Sequence, residues 1–357
     1  MITIKSQVTR KIVEQQIEYL VPGMELARDI YADNGSILAS EGIIINKALI
    51  KSLKNWKINK VSIIAEITDN PIIDPKIQQF LNSYNQSVTV VQQAFDTIRQ
   101  SQEIPIETFT QAADEIVGNI SDSSNIIDHI YNLPNCDDYT FRHSVNVSAI
   151  AALIATWLKF PQESISAIAL AGLLHDVGKS QLPPEILNKS YMLAPKDYEL
   201  YQTHTAIGYE LVKKVPNIAQ SVLSGIIDHH EREDGSGYPK QLGAEDIHPY
   251  AKIIAVADMF DESLTINCDT PGVLSPYASL DKMRNEIYRI DAKTCITFTQ
   301  NMMNFLSGNR VALTNGQQGR VVFVNKDKPS DSIVQQDDGT VINLSEINDL
   351  CIHYVVK

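Results

Sequence analysis

The sequence has few cysteines, no excess of basic residues and no long apolar run. Its 4 cysteines lie far apart and none forms a CxxC pair, which argues against a zinc ribbon or a redox dithiol. The formal net charge of -13 argues against a nucleic-acid polymer or an anionic membrane as a partner. A small anionic substrate stays compatible with this charge, because bound cations can dominate the field inside a site.

The N-terminal segment carries charges throughout and lacks the apolar core of a signal peptide. The longest weakly polar run, Val147–Leu158, is interrupted by Ser148 and Thr156. It is shorter than the roughly 20 residues that a helix needs to cross a bilayer. Scattered cysteines suit a reducing compartment. We therefore expect a cytoplasmic protein with no membrane segment.

Hydrophobic patterning divides the 357 residues into four segments. Residues 1–70 alternate short β runs with turn signals, and residues 71–120 carry connecting helices. Residues 121–307 repeat amphipathic helices without a strand period, and residues 308–357 return to short β runs. The predicted fold class is therefore mainly α, with small β-containing modules at both ends.

In the first segment, the Asn34-Gly35 pair predicts a hairpin turn. Further along, the side chain of Asn46 is suited to cap a short amphipathic helix from Lys47 to about Trp56. These signals predict a small α+β module that carries no catalytic chemistry of its own, because the segment contains no histidine.

In the second segment, apolar residues from Phe80 to Ile98 are spaced 4, 4, 3, 4 and 3 positions apart. This spacing forms one helical stripe and predicts a long helix over residues 76–102. Two interpretations stay open. The stripe packs against its own chain, or it pairs with a second copy to form a homodimer.

The third segment contains five histidines and two aspartates whose local settings suit metal ligation. They are His143, His175, Asp176, His204, His229, His230 and Asp258. Gaps of 32, 29, 25 and 29 residues separate the successive positions, about one helix plus a loop each, so all can meet at one end of a bundle. Taken alone, each could instead be a core or capping residue. Seven nitrogen and oxygen ligands without a thiolate exceed the needs of one ion and suit two hard cations.

Five strings in this segment resemble the signature of the HD-GYP group of the HD phosphohydrolase superfamily. They are YTFRHS (139–144), LLHDVGK (173–179), HTAIG (204–208), HHEREDGSGYP (229–239) and ADMFD (257–261). The HD pair alone is a weak signal, whereas the HHExxxGxGYP string is long and specific. The resemblance covers residues 121–307 and implies an all-helical HD-type bundle as the core of the chain.

The resemblance implies a bacterial phosphodiesterase that hydrolyses cyclic di-GMP to pGpG, and further to GMP. It implies that the seven residues named above hold two divalent ions, iron or manganese first, with zinc, magnesium, nickel or cobalt as alternatives. Asp176 would bridge the ions and Lys179 would hold the phosphate, which makes these two the implied catalytic residues. The residues implied to lie beside the substrate are Gly235, Gly237, Tyr238 and Pro239. We interpret Glu231 as the support of a ligand histidine rather than as a general base.

The sequence departs from the family pattern at three places. Tyr139 stands where some members have a glutamate for a third ion, which favours two ions here, and Thr205 replaces a proline after His204. The segment after Asp261 lacks the arginine that contacts the nucleotide in the family. Two alternatives therefore stay open, a phosphohydrolase for another cyclic nucleotide and a non-catalytic cyclic-dinucleotide sensor.

Overall fold

The computed structural model describes most of the chain. The described residues are 8–17, 20, 24–32, 37–56, 58, 60–68, 75–120, 139–187, 193–265, 275–347 and 349–356. The chain divides into two compact units, Met1–Pro75 and Lys76–Lys357. The predicted Asn34-Gly35 turn lies outside the described residues.

The described residues of the first unit form two small antiparallel sheets and one helix. In chain order it contains β1 (Val8–Gln16), β2 (Glu25–Leu26), β3 (Ile30–Tyr31), β4 (Ile37–Ala39), α1 (Lys47–Asn55) and β5 (Lys60–Thr68). Strand β5 pairs with β1 and β2, and β3 pairs with β4. Asn46 caps α1 as predicted, because its Oδ1 accepts a hydrogen bond from the Leu49 backbone N–H at 2.8 Å.

The second unit is a helical bundle followed by a small sheet. Its helices are α2 (Pro75–Ser101), α3 (Ile106–Ile120), α4 (Tyr139–Trp157), α5 (Gln162–Leu174), α6 (Pro184–Leu187), α7 (Pro195–Gln202), α8 (His204–Val212), α9 (Gln220–Asp228), α10 (Pro249–Thr265), α11 (Pro276–Asn285) and α12 (Ala292–Leu306). A 3₁₀ turn over Val177–Gln181 follows α5. None of the described helices is long and apolar enough to cross a membrane. The predicted mainly helical fold class with small sheets is confirmed.

Helices α4 and α5 form the centre of the bundle. Every residue from His143 to Ala155 in α4 is buried, as is every residue from Ile168 to Leu174 in α5. A helix that is apolar on all sides belongs in the interior of a domain. Gly172 lets the two helices approach closely, since a Cβ there would lie 2.8 Å from the Cα of Ser148. This central pair provides a rigid base for the polar residues at its ends.

The apolar stripe of α2 is buried within its own chain. Tyr84, Val91 and Ile98 are at most 2% exposed and belong to the same core as α4 and α5. The side chain of Phe80 lies outside the described residues. The stripe therefore packs as in the first of the two interpretations, and a homodimer through this helix would have to use another of its faces. Dimerisation stays a prediction, and measurement of the oligomeric state would test it.

The last part of the chain forms a five-stranded antiparallel sheet in the order β10-β6-β7-β8-β9. Its strands are β6 (Arg310–Leu313), β7 (Gln318–Phe323), β8 (Ile333–Gln336), β9 (Val341–Asn343) and β10 (Ile352–Val355). The side chains of Val311, Val321 and Val334 are fully buried and join the hydrophobic core of the helices. The sheet is thus packed onto the bundle by apolar contact.

Candidate metal centre

The seven predicted ligands lie close together, most of them at helix ends. His143 is in the first turns of α4, and Asp258 is in the middle of α10. The others are His175 and Asp176 directly after α5, His204 as the first residue of α8, and His229 and His230 directly after α9. Six of them are at most 2% exposed, and the side chain of His230 is 10% exposed. The structure therefore brings together all the residues that the sequence spacing predicted to converge.

The ligand atoms form two clusters that share Asp176. The first cluster consists of His143, His175 and Asp258. Its His143 Nε2 lies 3.1 Å from Asp258 Oδ1, and its His175 Nε2 lies 3.3 Å from Asp176 Oδ2. In the second cluster, formed by His204, His229 and His230, His204 Nε2 lies 3.3 Å from Asp176 Oδ1. Each oxygen of Asp176 thus faces a different cluster, which is the arrangement that a carboxylate bridging two cations requires.

Several buried polar atoms of these clusters lack a hydrogen-bond partner among the described residues. They are Asp176 Oδ1, His204 Nε2, His229 Nε2 and Asp258 Oδ2. A buried unsatisfied polar group costs about 1–3 kcal/mol. Four such atoms converging on one space fit a bound cation, and nitrogen and oxygen donors without a thiolate suit divalent iron, manganese or zinc.

Backbone carbonyls fix the orientation of three of the histidines. Each of them donates a 2.7 Å hydrogen bond from Nδ1 to the carbonyl three residues earlier: His175 to Gly172, His204 to Tyr201 and His229 to Ile226. A carbonyl only accepts, so Nδ1 carries the hydrogen and the lone pair of Nε2 faces the clusters. This is the tautomer that a metal ligand needs.

A buried hydrogen-bonded chain orients the fourth histidine. His143 Nδ1 lies 2.7 Å from Asp261 Oδ2, and Asn146 Nδ2 donates to Asp261 Oδ1 at 2.8 Å. The hydroxyl of Tyr84, on α2, donates to Asn146 Oδ1 at 2.6 Å. The sequence analysis did not assign these three supporting residues. For Asp261 a signal existed, because it lies three positions after Asp258 and therefore on the same helical face.

Replacing Tyr84 by phenylalanine should weaken this chain. The substitution leaves the buried Asn146 carbonyl without its donor, so we expect the free energy of unfolding to fall by about 1–2 kcal/mol. Because the chain ends on His143, metal affinity should fall as well. Urea unfolding and metal titration measure the two effects. Tyr277→Phe is the matched control, since its buried hydroxyl donates to the Leu306 carbonyl at 2.7 Å, away from the clusters. Equal metal affinity of the two variants would contradict the assignment.

Burial keeps His204, His229 and His230 neutral, and neighbouring groups keep Asp176 ionised. Burial lowers the pKa of His204 to about 4 and lowers the pKa values of His229 and His230 well below their ordinary range. Burial raises the pKa of Asp176, but the interactions with the neighbouring His175 and Lys179 outweigh it and hold that pKa well below its usual value. Neutral imidazoles and an ionised carboxylate are the protonation states that ligate cations.

The metal-free protein should lose stability as the pH falls from 6.5 towards 4. In that range the unfolded chain protonates His204, whereas the native state, with its pKa of about 4, does not. The unfolded state then binds more protons, so this residue alone should lower the free energy of unfolding by about 3 kcal/mol. Urea unfolding of EDTA-treated protein at several pH values measures the slope. His204→Gln should flatten it, and the exposed control His353→Gln should not. An unchanged slope in His204→Gln would refute the assignment.

Lys179 extends from the 3₁₀ turn to the edge of the clusters. Its ammonium group contacts Asp176 Oδ2 and lies 5.1 Å from the centroid of the Tyr201 ring. Burial lowers the pKa of Lys179, but the negative charge of Asp176 outweighs it and raises that pKa well above its usual value. A cation is therefore held beside the predicted metal ligands, as the phosphate-binding prediction requires.

The GYP loop folds back against the end of α9. A Cβ on Gly237 would lie 2.4 Å from both the backbone nitrogen of Arg232 and the Cα of Glu231, so only glycine fits there. Gly235 has a positive φ of 74°. Tyr238, followed by Pro239, stacks on the ring of His230 with centroids 4.7 Å apart. The loop therefore lies beside the second cluster, where the sequence predicted a substrate contact.

Glu231 has a different role from the predicted one. Its two carboxylate oxygens accept hydrogen bonds from the backbone N–H groups of Lys240 at 2.6 Å and of Leu242 at 2.9 Å. Four of the five histidines instead use backbone carbonyls or Asp261 for orientation. Glu231 thus anchors the chain just after the GYP loop, and its interpretation as the support of a ligand histidine is corrected.

Comparisons with known proteins find relatives of the helical domain. Residues 125–294 match the HD domain family. A cyclic di-GMP phosphodiesterase of Pseudomonas aeruginosa, PA4108, is 33% identical over 177 residues, which cover 50% of this chain and 42% of that protein. A 3′3′-cGAMP-specific phosphodiesterase of Vibrio cholerae is 34% identical over 170 residues, which cover 47% of this chain and 39% of that protein. This chain spans less than half the length of these curated relatives.

A solved structure has the same fold. Bd1817, an HDG"Y"P protein from Bdellovibrio bacteriovorus, matches this chain with a TM-score of 0.54 at 18% sequence identity, over 82% of this chain and 99% of that one. The family match and the relatives confirm the resemblance seen in the sequence. The helical domain of this chain is therefore similar to the HD domain family, and its HHEREDGSGYP string (229–239) resembles the signature of the HD-GYP group.

Proposed function

We propose that this protein is a metal-dependent phosphodiesterase that hydrolyses cyclic di-GMP to pGpG and further to GMP. The observation that carries the proposal is the position of Asp176, whose two oxygens face two separate clusters of buried imidazoles. We assign two divalent cations to the clusters, iron or manganese first. Three of the four orphaned buried atoms, on Asp176, His204 and His229, lie around the second cluster, and the fourth, Asp258 Oδ2, faces His230.

The bound cations would supply Lewis acidity and a water activated for attack on phosphorus. The chain's own groups then have distinct tasks. The imidazoles of His204 and His229, kept neutral by desolvation, retain their Nε2 lone pairs for ligation at neutral pH. Lys179 holds a permanent positive charge against which the non-bridging oxygens of a phosphodiester can bind, and it stabilises the charge that develops there. Tyr238 and the backbone around Gly237 border the space where the substrate would lie.

A second candidate substrate is 3′3′-cGAMP, because a phosphodiesterase named for that dinucleotide is as similar in sequence as the cyclic di-GMP enzymes are. The absence of arginine between Arg232 and Arg284 leaves base recognition to other residues in either case. A non-catalytic sensor is disfavoured, because a sensor has no need for seven predicted ligands, six of them buried, that cost stability without a cation.

The test is product analysis with anaerobically purified, metal-analysed protein. We expect cyclic di-GMP to yield pGpG and GMP, EDTA to stop the reaction, and iron or manganese to restore it. Faster turnover of 3′3′-cGAMP would favour the second candidate. Tight binding of either dinucleotide without turnover, at full metal occupancy, would assign the protein as a sensor.

A further inference from the structure

Two tyrosines of α7 form an aromatic surface beside the candidate metal centre. The rings of Tyr198 and Tyr201 are nearly parallel, with an interplanar angle of 15° and centroids 6.4 Å apart. The Tyr201 ring lies 5.1 Å from that of His204 and 5.1 Å from Lys179 Nζ. The surface therefore begins at the predicted ligands and extends outwards to Tyr198.

Packing does not account for the ring of Tyr198. Its residue is 45% exposed, and α7, all of whose residues are described, contains no buried residue. A single exposed aromatic residue is ordinary. Here, however, the exposed ring lies nearly parallel to a second ring, and that second ring lies beside both a predicted metal ligand and the ammonium group of Lys179. That combination is typical of a site that binds a flat ligand attached to a charged group.

A third tyrosine borders the same histidine as Tyr201. Tyr238 of the GYP loop stacks on His230, and its ring lies 6.3 Å from that of His204. The rings of Tyr201 and Tyr238 therefore both lie beside the ring of His204, and the aromatic surface of α7 begins at the second cluster.

We propose that Tyr198 and Tyr201 bind a purine base of the substrate by stacking, while Lys179 holds the adjoining phosphate. The identity of the nucleotide rests on the proposed function. In a nucleotide, one ribose separates the base from its phosphate. The aromatic surface starts at Lys179 and extends outwards, so it can hold the base while Lys179 holds the phosphate. Every base has a π face, and stacking on an aromatic side chain is tolerant of base identity. The surface therefore contributes affinity for a purine and does not select guanine over adenine.

Three variants of metal-loaded protein test this inference. Tyr198→Leu removes the exposed ring, Tyr198→Phe keeps it without the hydroxyl, and Tyr288→Leu alters a tyrosine that is 89% exposed elsewhere. One readout is steady-state hydrolysis of cyclic di-GMP. The other is fluorescence quenching of 2-aminopurine riboside 5′-monophosphate, which reports stacking of its base directly and needs no turnover. Metal content is measured for every variant.

We expect Tyr198→Leu to raise KM about tenfold with kcat within twofold, and to abolish most of the quenching. Tyr198→Phe and Tyr288→Leu should match the wild-type protein, and metal content should be equal in all. If the wild-type protein hydrolyses cyclic di-GMP while Tyr198→Leu matches Tyr288→Leu in KM and quenching, the stacking surface is refuted and the proposed function stands. If no dinucleotide is hydrolysed but quenching still depends on the ring of Tyr198, the proposed function fails and the base-binding surface is supported.

Discussion

Asp176→Asn should empty the candidate metal centre and lower phosphodiesterase turnover on the order of a thousandfold. Asparagine keeps the size of the side chain but removes its negative charge and replaces one oxygen by an NH₂ group, which cannot ligate. Because one oxygen of Asp176 faces His175 and the other faces His204, both clusters lose their shared anion at once. The measurements are metal ions per chain after desalting and the rate of cyclic di-GMP hydrolysis.

The substitution also removes the anion that pairs with Lys179, and removing one partner of a buried ion pair is destabilising. The metal-free variant should therefore unfold at a lower urea concentration than the metal-free wild-type protein, and metal content is compared under conditions in which both are folded. Asp197→Asn is the matched control, because that carboxylate is exposed on α7 and should leave metal content and turnover unchanged. Full metal occupancy in Asp176→Asn would show that Asp176 does not bridge two cations, and the proposed mechanism would then fail.

The convergence of the ligands could be predicted from the sequence because it depends on local rules. A gap of 29 residues corresponds to one helix and one loop, so His175, His204 and Asp258 return to the same end of a bundle whatever the side chains between them do. The inward orientation of Asp258 could also be predicted, because Asp258 shares a helical face with apolar residues.

The supporting residues could not be predicted in the same way. Tyr84 reaches Asn146 across 62 positions, and its hydroxyl contact depends on how α2 packs on α4, which no local pattern specifies. For Glu231 the error has a similar cause. Its neighbours in the sequence are histidines, which favoured the interpretation that it supports one of them. The folded chain instead brings the backbone N–H groups of Lys240 and Leu242 to its carboxylate.

Gly178→Ala should disrupt the site through backbone geometry alone. Gly178 lies in the 3₁₀ turn that carries Lys179, and a Cβ there would lie 2.0 Å from the carbonyl oxygen of His204 and 2.6 Å from the nitrogen of Gly208. Both atoms are helix backbone, which cannot rotate away as a side chain can, so α8 must shift or the turn must open. Either movement displaces His204 from Asp176. We expect the free energy of unfolding to fall by about 3–5 kcal/mol.

Metal content should fall together with stability in this variant, because His204 moves with the first turn of α8. Gly243→Ala provides the control, since a Cβ at that position meets no atom within 4 Å and its backbone needs no positive φ. It should match the wild-type protein in urea unfolding, metal content and turnover. If Gly178→Ala unfolds at the same urea concentration as Gly243→Ala and retains its metal, the close contact between the turn and α8 does not exist in solution. The position of His204 beside Asp176, which depends on that contact, would then have to be abandoned as well.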